Sequence, residues 1–370
     1  MKIICPKSNL ITGINIVLKA VSNKSTMPIL ECIIIEVTNS YIKLIGNDME
    51  LGIETIVKGD IIETGTVAIN AKIFAEIVRK LPDNDITVEV DSNFKVSIKS
   101  EKSLFNITGK SGEEFPYLPI IEKNRFISLS QYSLKEVIRQ TVFSIADNES
   151  NKIMTGELFE INGNLLKVVS LDGHRISIRN VELKDSYENH KVIVPGKTLI
   201  EISKILSGEM ADEVKIFFTD RHIVFEFDDT IVLSRLIEGE YYRIEQMLSS
   251  DYETKVTINN KEFLSCIDRA TLLIKESEKK PIIVNINGDN MELKMNSSIG
   301  SMNEEINIKK DGKDILIGFN PRFLIDALRV IDDEEIDIYL INPKAPCYIK
   351  DKNETYIYLV LPVNFNTSGN

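Results

Sequence analysis

Two hydrophobic periods run along this chain, and they recur in the same order three times. The helical period, with apolar residues three, four and seven positions apart, marks "VAINAKIFAEIVRKL" (67–81), "VIVPGKTLIEISKIL" (192–206) and "IGFNPRFLIDALRVI" (317–331). Each segment starts 125 residues after the last. At matching positions stand Lys72, Lys197 and Arg322, then Glu76, Glu201 and Asp326, with Phe74, Leu199 and Leu324 on the apolar face. Asn70 and Asn320 occupy the place of an N-cap, and Pro321 suits a first helical turn. A second helical pattern follows a short alternating strand near Met1, Arg125 and Thr254; in the middle copy Leu134, Val137, Ile138, Val142 and Ile145 share one face. Between these helices, β-branched runs such as "ILECIIIEV", "LLKVVSLD", "HIVFEF" and "YIYLVLPV" predict strands.

Each unit therefore reads as strand, helix, several strands, helix, several strands. That is an α+β domain with two helices and roughly eight short strands. The Pro- or charge-rich links "EEFPYLPIIEKN" and "EGEYYRIEQMLSSDYE" separate three such domains, over 1–122, 126–248 and 252–366. A chain of 370 residues is too long for one ordinary core, and the repeat is longer than a solenoid unit, so each copy is a domain in itself.

Composition narrows the chemistry. With 43% hydrophobic and 27% charged residues the chain is an ordinary globular one. No stretch approaches the ~18 apolar residues of a membrane span, and the opening "MKIICPKSNLITG" lacks a secretory core, so a cytoplasmic location is expected. Cys5, Cys32, Cys266 and Cys347 lie far apart with no C-x-x-C pair, and are expected as buried, inert thiols. Three histidines without carboxylate motifs suggest no metal site, and no cofactor is implied.

The net charge of −12 argues against a generic nucleic-acid binder, but the charge is uneven. Six helix windows (9–20, 70–80, 132–145, 196–206, 260–275 and 320–330) carry 13 basic and six acidic residues, which leaves 31 basic against 50 acidic elsewhere. A basic helical layer on an acidic body attracts a polyanion to one surface, although helices also place Lys and Arg on solvated faces for solubility alone. Gly109-Lys110-Ser111 ends like a phosphate-binding loop, yet position 104 is Leu where that loop needs Gly, so it reads as a turn.

One cluster invites an enzymatic reading. In "VVSLDGHRIS", Asp172, His174 and Arg175 fall within four positions, on a tight hairpin with Gly173 at its tip. The first repeat has Asp48 at the aspartate position but neither His nor Arg. Three readings stay open on these residues: a protein-binding surface, structural turn chemistry, or a hydrolase or lyase, for which no nucleophile or second titratable partner is evident.

These features together resemble the beta subunit of bacterial DNA polymerase III, the sliding clamp family. The resemblance covers nearly the whole chain, from "KSTMPILECIIIEV" through "ELFEINGNLLKVVSLDGHRISI" and "IGFNPRFLIDAL" to "YLVLPV". It implies a non-catalytic processivity factor, a head-to-tail homodimeric ring of six domains with twelve helices around duplex DNA. By position, DNA would be met by Lys24, Lys72, Arg79, Lys80, Lys135, Arg139, Lys197 and Arg322. Short linear motifs of the replicative polymerase, clamp loader, repair polymerases, ligase and mismatch-repair proteins would dock in a cleft. That cleft would comprise Met154, Leu171, Gly173, His174, Arg175, Tyr242, Gln246, Met247, Pro346, Val360, Leu361 and Pro362, with His174 and Arg175 as rim donors and Asp172 fixing the turn. Leu272 and Leu273 would meet Phe105 and Ile107 of the partner, although the latter two read equally as core residues. Relatives often carry Pro at Tyr242 and a basic residue at Gln246, so the cleft's shape is expected to differ here. The tail "NFNTSGN" is expected to be disordered. A non-replicative adaptor with the same fold remains the other binding-class reading.

Overall fold

All six predicted helices are present in the computed structural model, which describes residues 1–22, 25–147, 151–248, 251–274 and 280–365. They are α1 (Lys7–Val17), α2 (Ala71–Lys80), α3 (Gln131–Thr141), α4 (Gly196–Ser203), α5 (Asn260–Thr271) and α6 (Pro321–Leu328). Asn70 Oδ1 accepts from the Ile73 N–H at 3.1 Å and Asn320 Oδ1 from the Arg322 N–H at 3.1 Å, as the caps predicted. Asn259 caps α5 in the same way, accepting from the Glu262 N–H at 3.0 Å, a signal the sequence reading passed over. The helices end sooner than the apolar periodicity does. Residues Leu18–Ala20 and Val142–Ser144 tighten into 3₁₀ turns, which keep the helical side-chain pattern while changing the ladder.

The chain divides into two compact units, and the division cuts through the central repeat. Unit 1 holds residues 1–134 and 200–236. One of its sheets has five strands, in the order Asp60–Glu63, Lys2–Pro6, Asp85–Val90, Lys95–Ser100, Ser103–Thr108. The other has eight, and its middle is a seam: Thr230–Arg235 of the second repeat pairs antiparallel with Leu51–Val57 of the first, Thr230 opposite Thr55 and Ser234 opposite Leu51. At that seam the Thr55 and Thr230 hydroxyls share a buried hydrogen bond of 2.8 Å. Leu10 and Ile14 of α1 and Phe74 and Val78 of α2 are fully buried in this unit, while Lys72, Arg79 and Lys80 on the opposite face of α2 are exposed.

Unit 2 holds residues 135–199 and 237–370, and it has a matching seam. Its seven-stranded sheet joins the repeats where Arg175–Pro195 pairs antiparallel with Tyr356–Val360, Arg175 opposite Val360 and Arg179 opposite Tyr356. A four-stranded sheet runs Gly300–Asn307, Asn290–Ser297, Ile282–Asn287, Ile315–Phe319. Phe263 of α5, Leu324 and Leu328 of α6, and Tyr356 and Tyr358 fill its core. The expected eight strands per repeat become nine, six and nine among the described residues. The central copy has fewer because Gly156–Leu171 and Arg175–Pro195 run on as 16- and 21-residue strands, passing register shifts around Gly163 instead of breaking.

Two strands end their sheets with one edge open. Ser103–Thr108 lies at one end of the five-stranded sheet, with Leu104 and Phe105 exposed, and Gly300–Asn307 lies at one end of the four-stranded sheet. The tail differs from expectation in its first residues. The Val363 N–H donates to the Gly318 carbonyl at 2.8 Å, and the Phe365 ring lies so close that a Cβ on Gly318 would stand 2.6 Å from it; residues 366–370 fall outside the described residues. All four cysteines are buried free thiols, and burial pushes Cys5 and Cys266 up to about 12.

Candidate protein-binding cleft and basic helix faces

The Asp172–Arg175 turn is built from its aspartate. Asp172 Oδ1 accepts from the backbone N–H of His174 at 2.9 Å and of Arg175 at 3.1 Å. Asp48 does the same for Glu50 (3.1 Å) and Leu51 (2.8 Å) in the first repeat, and Ser297 Oγ accepts from the Ile299 N–H (3.2 Å) in the third. A side-chain acceptor at the turn is thus shared by the repeats, an acid in the first two and a serine in the third, and the His-Arg pair is what the second copy adds. Gly173, at φ +89°, takes the left-handed tip, where a side chain would be strained.

Arg175 is not a rim donor. Its side chain is only 10% exposed. Its Nε donates to Asp172 Oδ2 (2.9 Å), one terminal nitrogen to Asp326 Oδ2 of α6 (2.6 Å) and the other to the Phe143 carbonyl (2.6 Å). The guanidinium also lies over the Phe323 ring, 4.4 Å from its centroid. It therefore bolts the turn to α6 and to the chain after α3. His174 does reach the surface of a cavity: its ring tilts against Phe323 with centroids 6.1 Å apart, and its carbonyl accepts from the Leu361 N–H at 2.9 Å.

That cavity measures about 440 Å³. Of the expected cleft residues, His174, Leu361 and Pro362 line it, joined by Ile274, Lys280, Pro281, Asn320, Pro321, Arg322, Phe323 and Val363. The first turn of α6 is the wall the sequence reading missed. Its signals were spent on the cap and on a DNA contact, although Phe323 stands off the helix's buried stripe as a half-buried aromatic. Met154 and Leu171 gather elsewhere, in an apolar cluster with Ile244, Tyr348 and Leu359. Leu171 and Val360 are buried and so back the surface without presenting it, while Pro346 is half-buried. Tyr242, Gln246 and Met247 are exposed about the Ile244–Met247 turn, which Tyr348 fixes by donating its hydroxyl to the Met247 carbonyl at 2.7 Å.

Glu157 lies fully buried beside this cluster, accepting from the Thr141 hydroxyl at 3.0 Å. Burial holds its carboxyl well above the usual range, so the fold favours the protonated form. With more protons bound folded than unfolded, stability is fully present below the ordinary glutamate pKa of about 4.3 and is lost as pH rises from there through the raised folded-state value. Glu157→Gln is expected to raise the melting temperature at pH 8 and leave it nearly unchanged at pH 4; equal shifts at both pH values would contradict this.

The basic positions differ in availability. Lys72, Arg79, Lys80, Lys197 and Arg322 are exposed, and Lys135 is half-buried. The Arg139 guanidinium is already held by Glu136 (3.0 Å) and Asp332 (2.6 Å), two carboxylates for one cation. Arg322 points to the cavity instead of only outward from its helix, and Lys24 lies outside the described residues. At the strand edges Leu272 is 77% and Phe105 41% exposed, whereas Ile107 and Leu273 are half-buried, with Leu273 beside Gly300.

Asp172 is fully engaged in the turn, no Ser, Thr or Cys among the described residues lines the cavity, and among them no three His, Cys, Asp or Glu groups are placed to hold a metal ion. A threefold α+β repeat with an apolar cavity edged by donors is the architecture of a scaffold suited to receiving a segment of another chain. The comparisons give the family. Models of the DNA polymerase III beta subunit match in sequence, the N-terminal domain at residues 1–119, the central domain at 128–242 and the C-terminal domain at 245–364. A curated beta sliding clamp of Staphylococcus aureus is 35% identical, covering 95% of this chain and 96% of its own length. A crystal structure described as a putative DNA polymerase III beta subunit from Eubacterium rectale is 65% identical, with TM-score 0.96 over 99% of this chain and all of its own. The Bacillus subtilis sliding clamp structure is 32% identical, with TM-score 0.94 over the same shares. The chain belongs to the DNA polymerase III beta subunit family, the DNA sliding clamps, which act as processivity factors and are not enzymes.

Proposed function

We propose that two copies of this chain close head to tail into a ring around duplex DNA. The observation that carries this reading is the pattern of seams. Twice within the chain, the last strand of one repeat's meander pairs with the second strand of another repeat's hairpin: Thr230–Arg235 with Leu51–Val57, and Tyr356–Val360 with Arg175–Pro195. One strand of each kind is left over, Ser103–Thr108 and Gly300–Asn307, each ending its sheet. Open edges of this sort seek partners, and a second copy supplies both seams at once. Phe105, Ile107, Leu272 and Leu273 would pack beside them. The domains of the ring are those of the repeat, 1–122, 126–248 and 252–366, and not the two compact units.

On this reading Lys72, Arg79, Lys80, Lys135, Lys197 and Lys24 neutralise phosphates without reading bases, so the ring slides. Arg139 contributes less, because Glu136 and Asp332 already occupy it. The cleft tethers the replicative polymerase, clamp loader, repair polymerases, ligase and mismatch-repair proteins in the bacterial cytoplasm at the replicating nucleoid, raising their effective concentration at the template. No helix among the described residues is long and apolar enough to cross a membrane.

The test is topological. Loaded by its clamp loader onto nicked circular DNA, the protein is expected to co-elute with the circle at about 0.5 M salt, where ordinary phosphate contacts are screened, and to be released when the circle is cut. Equal retention on circular and linear DNA would exclude a closed ring. No retention on either would favour an adaptor that keeps the fold without enclosing DNA.

A further inference from the structure

The same main-chain latch occurs in every repeat. The second residue of each repeated helix segment is Ala68, Ile193 or Gly318, each 125 positions after the last. Their carbonyls accept from the N–H of Lys110 (2.9 Å), Ile237 (2.9 Å) and Val363 (2.8 Å) respectively. In the first two copies the latched residue leads into the link to the next repeat. In the third it closes the stretch Leu361–Val363, which lines the cavity beside His174.

That stretch has little burial of its own. Leu361 is 38% and Val363 39% exposed, Asn364 is exposed, and Pro362 has no N–H to donate. Two main-chain bonds hold it, from Leu361 to the His174 carbonyl at 2.9 Å and from Val363 to the Gly318 carbonyl. Bonds of this kind compete with water and contribute little alone. The apolar contact comes from Phe365, a half-buried ring seated on Gly318. A Cβ at Gly318 would stand 2.6 Å from that ring and 2.9 Å from the Val363 carbonyl oxygen, and its three nearest atoms all belong to Val363 and Phe365. Gly318 does not lie in the left-handed region, so its backbone does not call for glycine. Ala68 and Ile193 carry side chains at the matching positions; only here does a ring take the space. Gly318 is accordingly buried, although its strand, Ile315–Phe319, ends the four-stranded sheet. Two residues further on, Asn320 opens α6 and the cavity's other wall.

We propose that Phe365, seated on Gly318, is a positioning residue of the cleft, holding the Leu361–Pro362 wall between the His174 turn and α6. The inference rests on the cleft reading above. Phe365 lies outside the cavity lining and acts only through the main chain it anchors. A wall already in place need not be ordered by the incoming partner, so its release weakens binding by the cost of ordering it.

The test uses the full chain with Phe365→Ala, Phe365→Leu, Gly318→Ala and the double variant Phe365→Ala/Gly318→Ala. Affinity for the catalytic subunit of the replicative polymerase is read by surface plasmon resonance. Exchange of the Leu361 and Val363 amides is read by hydrogen-exchange mass spectrometry. Phe365→Ala is expected to weaken binding about three- to tenfold and to speed those two amides by a similar factor, the scale of a half-buried ring. Val284 and Ile286, buried in the neighbouring strand, should keep the parent's exchange. Phe365→Leu retains apolar bulk and should restore most of both quantities. Gly318→Ala expels the ring from the other side and should match Phe365→Ala. The double variant should be no worse than either single one, because both break one contact. Parent-like affinity in both single Ala variants overturns the inference while the cleft stands. So does weaker affinity without faster exchange at Leu361 and Val363, or equal loosening of Val284 and Ile286. If the unmodified protein does not bind the polymerase, the cleft reading falls and this inference with it.

Discussion

Replacing Phe105 and Leu272 together by Asp is expected to halve the mass in solution, from a dimer of 41.9 kDa chains to the single chain. Both side chains are large, apolar and substantially exposed, so charging them costs folding little. In a closed ring the same carboxylates would be buried at two symmetry-related contacts without partners, a penalty of several kcal/mol at each. Light scattering at micromolar concentration reads the mass, and a melting curve close to the parent's shows that the monomer remains folded. Retention on circular DNA should disappear with the dimer. Peptide binding should survive, because the cavity is built within unit 2 alone. A variant that stays dimeric would remove the two strand edges as the ring's joints.

The second large effect is at Arg175. Arg175→Met keeps much of the side chain's bulk but leaves Asp172 and Asp326 facing one another's charge without their shared cation. Breaking a buried, hydrogen-bonded ion network from one side costs about 3–5 kcal/mol, because the remaining carboxylates stay partly desolvated. The Phe143 carbonyl loses its donor as well, and the Phe323 ring loses the guanidinium over it. Denaturant unfolding should show the loss in the transition that melts unit 2, with weaker binding of peptides in the cleft beside His174. A change below about 1 kcal/mol would mean that the network is surface decoration and the bolt reading is wrong.

The sequence made the repeat legible because helical periodicity and Asn caps are local signals, and Asn70, Asn320 and Pro321 act where their spacing placed them. It also placed the turn at Gly173 and the role of Asp172. The seams were not legible. Alternation tells which face of Leu51–Val57 is buried, but not that Thr230–Arg235 will lie beside it, since ladder hydrogen bonds join backbones and leave no mark on composition. The same distance in sequence hid the fate of Arg175: Asp172 is three residues away, but Asp326 is 151 away. The ion pairs of Arg139 were hidden likewise, because a basic residue on a helix face looks available until its acidic neighbours are placed. The cavity's second wall, Asn320 to Phe323, was masked by better-known duties of the same residues at a helix start.

Because the two internal seams are made mainly by main-chain pairing, they fix few of the side chains that flank them, the Thr55–Thr230 hydroxyl pair and Gly52, tight against Leu118, being exceptions. Mutations elsewhere along Leu51–Val57 or Thr230–Arg235 that keep the inward and outward alternation leave the joint intact. Heritable drift can therefore accumulate there at little cost to fitness, whereas the Arg175 network, where four groups depend on one guanidinium, leaves selection almost no freedom.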